Sequence, residues 1–269
     1  MADIDIIMGV FNEEQNIKRA VDSILRQSFE DWRLLVCDDG STDRTAQILD
    51  TYAEAYPHKI FVYRNHSNRG LTYSLNRLIG ISKAPYLARM DGDDLCHEKR
   101  LEREKAFLDR HPEYALVGSS INKFDGDGVF ARKAFPEYPG RKDLLWNNPF
   151  AHPTVMIRRS VLLELGGYRD VESTVRCEDY DLWMRLYERG YKGYNIQEPL
   201  LYYYEGRSSY AKRKFKYRWN EIRTRFEGFK RNGLLPQGIL FVLKPLAVGL
   251  VPAEFMVKAR NGFGKKKNG

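Results

Sequence analysis

The 269-residue chain has only three cysteines, Cys37, Cys96 and Cys177. An odd number with no metal-ligand spacing excludes a disulfide framework and a zinc ribbon, and such sparse thiols belong in a reducing compartment. There is no G-x-G-x-x-G after the first apolar segment, only Met8-Gly9-Val10-Phe11-Asn12-Glu13, so the phosphate cradle of a dinucleotide site is excluded. No apolar run reaches the ~20 residues of a membrane span. The best candidate, starting at Gly238, is broken by Lys244, Pro245 and Pro252. The opening Ala2-Asp3-Ile4-Asp5 is acidic and runs straight into strand-like sequence, which argues against a secretory signal. What remains is 43% hydrophobic and 30% charged, the composition of one large globular domain, or one domain with a tail.

The first third alternates between two periodicities. Ile4–Val10, Trp32–Cys37, Ile60–Tyr63 and the run from Tyr86 to Asp91 read as strands. Between them, Ile17, Ala20, Val21, Ile24 and Leu25 predict a helix of about four turns, with Asn12 as N-cap and Gln15 completing a capping box. Ala46, Leu49 and Ala53 mark a second helix, and Leu71, Leu75, Leu78 and Ile79 a third. A β-α-β-α-β-α-β order predicts a doubly wound, mostly parallel sheet. Further on, the expected elements are a charged helix over 98–110, a short strand at Ala115–Gly118 and a hairpin turn at Asp125–Gly128. A strand over Thr154–Ile157 precedes a short helix capped by Ser160 and stopped by Gly166-Gly167. A helix opened by Glu178-Asp179 and a strand over Leu200–Tyr204 follow.

Carboxylates gather at the ends of these strands. Asp38-Asp39-Gly40-Ser41 follows the second, and Asp91-Gly92-Asp93-Asp94 follows the fourth. Ligands of open α/β sheets sit in the crevice beyond the carboxyl ends of the strands. Gly92 lets Asp91 and Asp93 converge on one point, and paired carboxylates suit Mg²⁺ or Mn²⁺ shared with substrate phosphates. The third pair, Glu178-Asp179, stands at a helix start, where acids also complement the helix dipole.

Taken in order, Val10-Phe11-Asn12-Glu13, Asp38-Asp39-Gly40-Ser41, Asp91-Gly92-Asp93-Asp94 and Glu178-Asp179 before Leu182-Trp183 resemble the family-two inverting glycosyltransferases with the GT-A fold. Asn148-Pro149-Phe150-Ala151-His152-Pro153-Thr154, Gly166-Gly167-Tyr168 and Lys244-Pro245-Leu246 are similar to the bacterial capsule and biofilm exopolysaccharide members. Gly9 departs from the proline common at that position.

The resemblance implies a metal-dependent transfer from a nucleotide sugar, expected to be a UDP-sugar, to a saccharide or lipid-linked oligosaccharide. Asp39, beside Asp38, would accept from the uracil N3–H, with Phe11, Val10 and Asn12 against the base. Asn68, Gly70 and Asn76 would line the nucleotide side, or serve as turn and cap residues. Asp91 and Asp93, flanking Gly92, would handle ribose and Mn²⁺ or Mg²⁺. Arg207 would close over the diphosphate or be a surface arginine of the basic run, and His152 would face the acceptor, ligate the metal or sit buried. Asp179 would be the base that deprotonates the acceptor hydroxyl. The helix dipole is expected to hold it ionised, with Glu178 pointing elsewhere.

The +8 net charge is concentrated beyond Arg207. The organisation expected is a catalytic domain over 1–208, divided into a nucleotide half (1–97) and an acceptor half (98–208), followed by a basic, amphipathic helical tail over 209–269. The tail's apolar residues flanked by Lys258, Arg260 and Lys265–Lys267 suggest peripheral contact with the inner face of the cell membrane in a cytoplasmic enzyme. A helix packed on the domain or on a dimer partner is the other use of the tail. A nucleotidyltransferase would carry a Gly-rich basic loop after strand one, which is absent. A regulatory protein on a degenerate fold, binding a polyanion or partner through its tail, leaves three intact carboxylate clusters unexplained. No nucleic-acid partner is expected.

Overall fold

The computed structural model describes residues 2–206 and 216–249. Four strands, β1 (Ile4–Val10), β2 (Trp32–Asp38), β3 (Ile60–Arg64) and β4 (Tyr86–Arg89), pair in parallel in the order β3-β2-β1-β4. Alternation along β1 divides the core. Ile4, Ile6, Met8 and Val10 pack with Ile17, Ala20, Val21 and Ile24 of α1 (Ile17–Leu25) and Leu49 of α2 (Thr45–Ala55). Ile7, on the opposite face, joins Leu75, Leu78 and Ile79 of α3 (Leu71–Ile81). Helices thus cover both faces, as an all-parallel half-sheet requires.

The second half of the sheet is mixed. β8 (Met156–Arg158) lies antiparallel to β4, and β6 (Tyr114–Asp125) antiparallel to β8. β9 (Lys192–Tyr204) runs parallel to β6, and the two-residue β5 (Leu95–Cys96) closes the path against β9. β7 (Gly128–Lys133) returns beside β6 through the expected turn, with Asp125 opposite Gly128. Helix α4 (Arg100–Arg110) packs with α1, α5 (Arg159–Glu164) follows β8, and α6 (Glu178–Glu188) lies on the α3 face.

Several local expectations are corrected. Helix α1 has nine residues and starts after Asn16. Asn12 caps nothing there: it adopts φ +55° and its Oδ1 accepts from the Thr42 N–H at 2.8 Å. Strands β6 and β9 are 12 and 13 residues long rather than short. Ser160 lies inside α5, which has no side-chain cap. Gly166 and Gly167 do end that helical region, both with positive φ, where L side chains are strained.

Helices α7 (Lys216–Arg231) and α8 (Leu235–Gly249) supply the helical C-terminal region. Phe229, Leu234 and Val242 are buried in one cluster with Leu144, Trp183 and Met184. The approach of α7 to α6 is close enough that a Cβ on Gly228 would fall 1.7 Å from the Met184 sulfur. Among the described residues, no helix is long and apolar enough to cross a membrane.

Candidate active site

Leu87 and Arg89 share one face of β4, because side chains alternate along a strand. Leu87 packs in the α3/α6 cluster, so the Arg89 side chain enters the same layer, where it is 6% exposed. β4 then gives way to the acidic turn. One oxygen from each of Asp91, Asp93 and Asp94 lies within 4.8 Å of the others. Asp94 is the buried member; its Oδ1 accepts from the Tyr204 N–H at 2.8 Å, and its Oδ2 has no partner. Asp91 is ion-paired with Arg89.

Electrostatics shows how crowded the acids are. Burial, then the charges of Asp91 and Glu13, push the Asp93 carboxyl up to about 7. Burial, then the charges of Asp91 and Asp93, hold Asp94 well above the carboxylate range. Burial works against the Arg89 charge, but Asp91, with Tyr168 and Asp94, together outweigh it and raise its pKa, so Arg89 stays charged. A buried, orphaned carboxylate oxygen beside two converging acids fits an oxygen-preferring divalent cation. Asp94 belongs to this set with the expected Asp91 and Asp93. Gly92 is buried between them, and a Cβ there would lie 2.7 Å from Val10 Cγ1.

The second acid set comes from α6. Asp179 Oδ2 accepts from Asn148 Nδ2 and its Oδ1 from the Tyr180 N–H, both at 2.7 Å. Glu178 keeps one buried oxygen, Oε2, without a partner. The expected effect of the helix dipole on Asp179 is overturned: burial raises its pKa, against the opposing pull of Tyr180, Asn148 and Arg89. Removing a carboxylate's water costs more here than the helix N-terminus returns. Nor is Glu178 independent of its neighbour, since burial and then the charge of Asp179 bring it up to about 7.

Arg89 connects the two sets. It pairs with Asp91, and its charge acts on Asp93, Asp94, Glu178 and Asp179 alike. It also lowers His152, which burial already holds well below its usual value and therefore neutral. His152 Nε2 lies 2.7 Å from the Tyr168 hydroxyl. Tyr168 is fixed in turn by Asn76, whose side chain donates to its carbonyl at 2.8 Å and accepts from its N–H at 2.9 Å. Asn76 thus clamps the Gly166-Gly167-Tyr168 turn from α3. Arg185 of α6 reaches the same turn, donating to the Leu165 and Gly167 carbonyls at 2.6 and 2.9 Å.

The residues expected on the nucleotide side collect at the ends of β1, β2 and β3. The Val10 carbonyl accepts from the Asp39 N–H at 2.8 Å, and the Asn12 N–H donates to Ser41 Oγ at 2.9 Å. Asp38 is buried and accepts from the Ser41 N–H at 3.1 Å. Asp39 accepts from Asn65 Nδ2 at 2.7 Å and from the Arg69 and Gly70 N–H groups at 2.9 and 2.7 Å. It therefore shapes the loop containing Asn68. These three donors leave it about one of a carboxylate's roughly four acceptor positions. Phe11 is 42% exposed, and Asn68 is also exposed, so both are open to a ligand. Arg207 lies outside the described residues.

Sequence reasoning gave no role to Arg89, Asn148 or Tyr168 as site residues, although all three stand in motifs it singled out. The signal available was the period-two position of Arg89 with Leu87, which faces it inward.

A family model described as glycosyl transferase family 2 matches residues 5–166. EpsE of Bacillus subtilis, named as a glycosyltransferase, is 37% identical over 264 residues, covering 98% of this chain and 94% of that protein. The amylovoran biosynthesis glycosyltransferase AmsE of Erwinia amylovora is 25% identical over 263 residues, 93% of this chain and 95% of its own. Among solved structures, Staphylococcus aureus TarS residues 1–349 in complex with UDP-GlcNAc superposes with a TM-score of 0.71 at 18% identity, covering 91% of this chain and 73% of that one. The mannosyltransferase PcManGT of Pyrobaculum calidifontis, in complex with GDP-Man and Mn²⁺, gives 0.65 at 18%, covering 98% and 81%. At those identities the likeness is one of fold, and that fold is GT-A.

Proposed function

Because the chain belongs to glycosyl transferase family 2, we propose that it transfers a sugar with inversion from a nucleotide donor, UDP-linked, to a growing lipid-linked exopolysaccharide on the inner face of the cell membrane. One observation carries this reading: the converging acids Asp91, Asp93 and Asp94 and the acid pair Glu178-Asp179 are held by different elements yet share Arg89. A single-displacement transfer needs a cation on the leaving-group side and a base on the acceptor side.

Asp91, Asp93 and Asp94 would hold Mn²⁺ or Mg²⁺. When bound, such an ion neutralises the charge that develops on the departing nucleoside diphosphate. Phe11 would stack on the base, and Asp39 with the loop it organises would recognise its edge. Arg207 would close on the diphosphate. On the acceptor side, Asp179 takes the hydroxyl proton as the new bond forms, because a sugar hydroxyl is too weak an acid to attack unaided. Asn148 fixes the orientation of that carboxylate. Burial raises the Asp179 pKa, which makes it a stronger base than an exposed aspartate. The likeness to AmsE, a glycosyltransferase of amylovoran biosynthesis, over almost the whole chain supports a polysaccharide acceptor. The complexes of TarS with UDP-GlcNAc and PcManGT with GDP-Man and Mn²⁺ support a nucleotide-sugar donor and a metal.

The test is thermal. A UDP-sugar with Mn²⁺ should raise the melting temperature, since a ligand of the native state stabilises it by mass action. Asp94→Asn should lose the Mn²⁺-dependent part of that rise. A shift that is the same with and without metal would remove the acidic turn from the donor site.

A further inference from the structure

Helix α8 buries one side and leaves an apolar side uncovered by the described residues. Val242 and Leu234, just before the helix, enter the core. Ile239, Leu240 and Leu243 point away from it and are 50%, 79% and 53% exposed. Spacings of one and four residues put these three on the same half of a helix. On the flank, Phe241 meets Trp146 edge to face with ring centroids 4.8 Å apart, and Trp146 is itself 65% exposed. One exposed leucine calls for no explanation, but a contiguous apolar patch marks a contact surface.

This patch is tied to the catalytic side. Lys244 Nζ donates to the Trp146 carbonyl at 2.5 Å, and Arg225 Nη1 to the Leu145 carbonyl at 3.1 Å. Two residues beyond Trp146, Asn148 holds Asp179. The surface and the base are therefore parts of one packed unit. The chemistry of the occupant follows from charge. Residues 250–269, which continue from the helix, carry Lys258, Arg260, Lys265, Lys266 and Lys267 against a single acid, Glu254. An apolar helix face with tryptophan at its edge, followed in the sequence by a basic segment, matches an anionic lipid surface.

We propose that the Trp146, Ile239, Leu240 and Leu243 surface seats on anionic lipid headgroups and so presents the Asp179 side of the site to the bilayer. This rests on the lipid-linked acceptor of the proposed function and specifies the surface that meets it. The surface is part of the folded domain, and the basic segment adds electrostatic attraction to it.

The experiment is co-sedimentation of the full chain with phosphatidylcholine vesicles and with phosphatidylcholine/phosphatidylglycerol vesicles. Wild type should pellet with the anionic vesicles. Leu240→Ser/Leu243→Ser should bind them less tightly by on the order of tenfold per side chain, with an unchanged melting temperature because both residues are exposed. If wild type stays in solution, or the double variant pellets as well as wild type, the proposal is overturned. A wild-type dimer that becomes monomeric in the double variant, seen by light scattering, also overturns it by making the patch a contact between copies. The melting shift with UDP-sugar, measured without vesicles, separates the readings: its loss in wild type counts against the donor site, and its retention with no vesicle binding counts against the surface alone.

Discussion

Arg89→Met keeps a side chain of similar length and removes the charge that acts on all five carboxylates of the site. Breaking a buried ion pair by deleting one partner costs about 3–5 kcal/mol. At about 2–4 °C per kcal/mol for a chain near this size, the metal-free variant should melt roughly 6–20 °C below wild type. The deficit depends on pH with a definite sign. Asp93 and Glu178 already titrate at about 7, above their ordinary values. The native state thus holds these protons more tightly than the unfolded chain, and stability falls as pH rises from about 4 through about 7. Without Arg89 the same acids move further up, so the deficit should be largest near pH 8 and shrink toward pH 5. Mn²⁺ bound at the acidic turn, as proposed, would supply positive charge to the same acids, so it should raise the variant's melting temperature more than that of wild type. Calorimetry at the two pH values, with and without Mn²⁺, gives all four numbers. A variant that melts within about 2 °C of wild type at pH 8 would refute the placement of Arg89 as the shared counter-ion.

Asn148→Ala removes the donor that steadies Asp179 Oδ2 and lowers its pKa. It should reduce kcat with little change in donor KM, and the acidic limb of the kcat–pH profile should move to higher pH. An unmoved profile would detach Asn148 from the base. Phe229→Ala, at a fully buried position of α7, should cost about 3–5 kcal/mol, read as a lower urea midpoint; a loss under about 1 kcal/mol would mean that α7 is dispensable to the core.

The sequence is most legible where one residue pattern has one structural use. Strands β1 to β4 are apolar runs between turn signals, and their predicted ends fall within two residues of those in the structure. Long β6 and β9 are hidden because their interior is polar. Ser119, Ser120 and Asn195 are fully buried, and Asn195 Nδ2 reaches the Pro136 and Pro149 carbonyls at 2.8 and 3.0 Å. Those partners lie more than 40 residues away, so no local pattern announces them. The core role of α7 is masked similarly: Arg225 is buried, donates to Leu145 and lies over the Tyr180 ring, while its neighbours read as a charged surface helix. At the site, the acids are visible as motifs. Their protonation is not, because it depends on how much protein surrounds each carboxylate. The start of α6 suggests a stabilised anion at Asp179, and burial reverses that sign.

The most direct test of the mechanism is Asp179→Asn, which keeps size and the possibility of hydrogen bonding to Asn148 but removes basicity. Donor and Mn²⁺ binding, read as the melting shift, should match wild type, while transfer measured in single turnover should fall by ~10²–10⁴-fold, the usual worth of a positioned base. Transfer near the wild-type rate would contradict the account. If Glu178→Gln then abolished transfer instead, the base would be the neighbouring carboxylate.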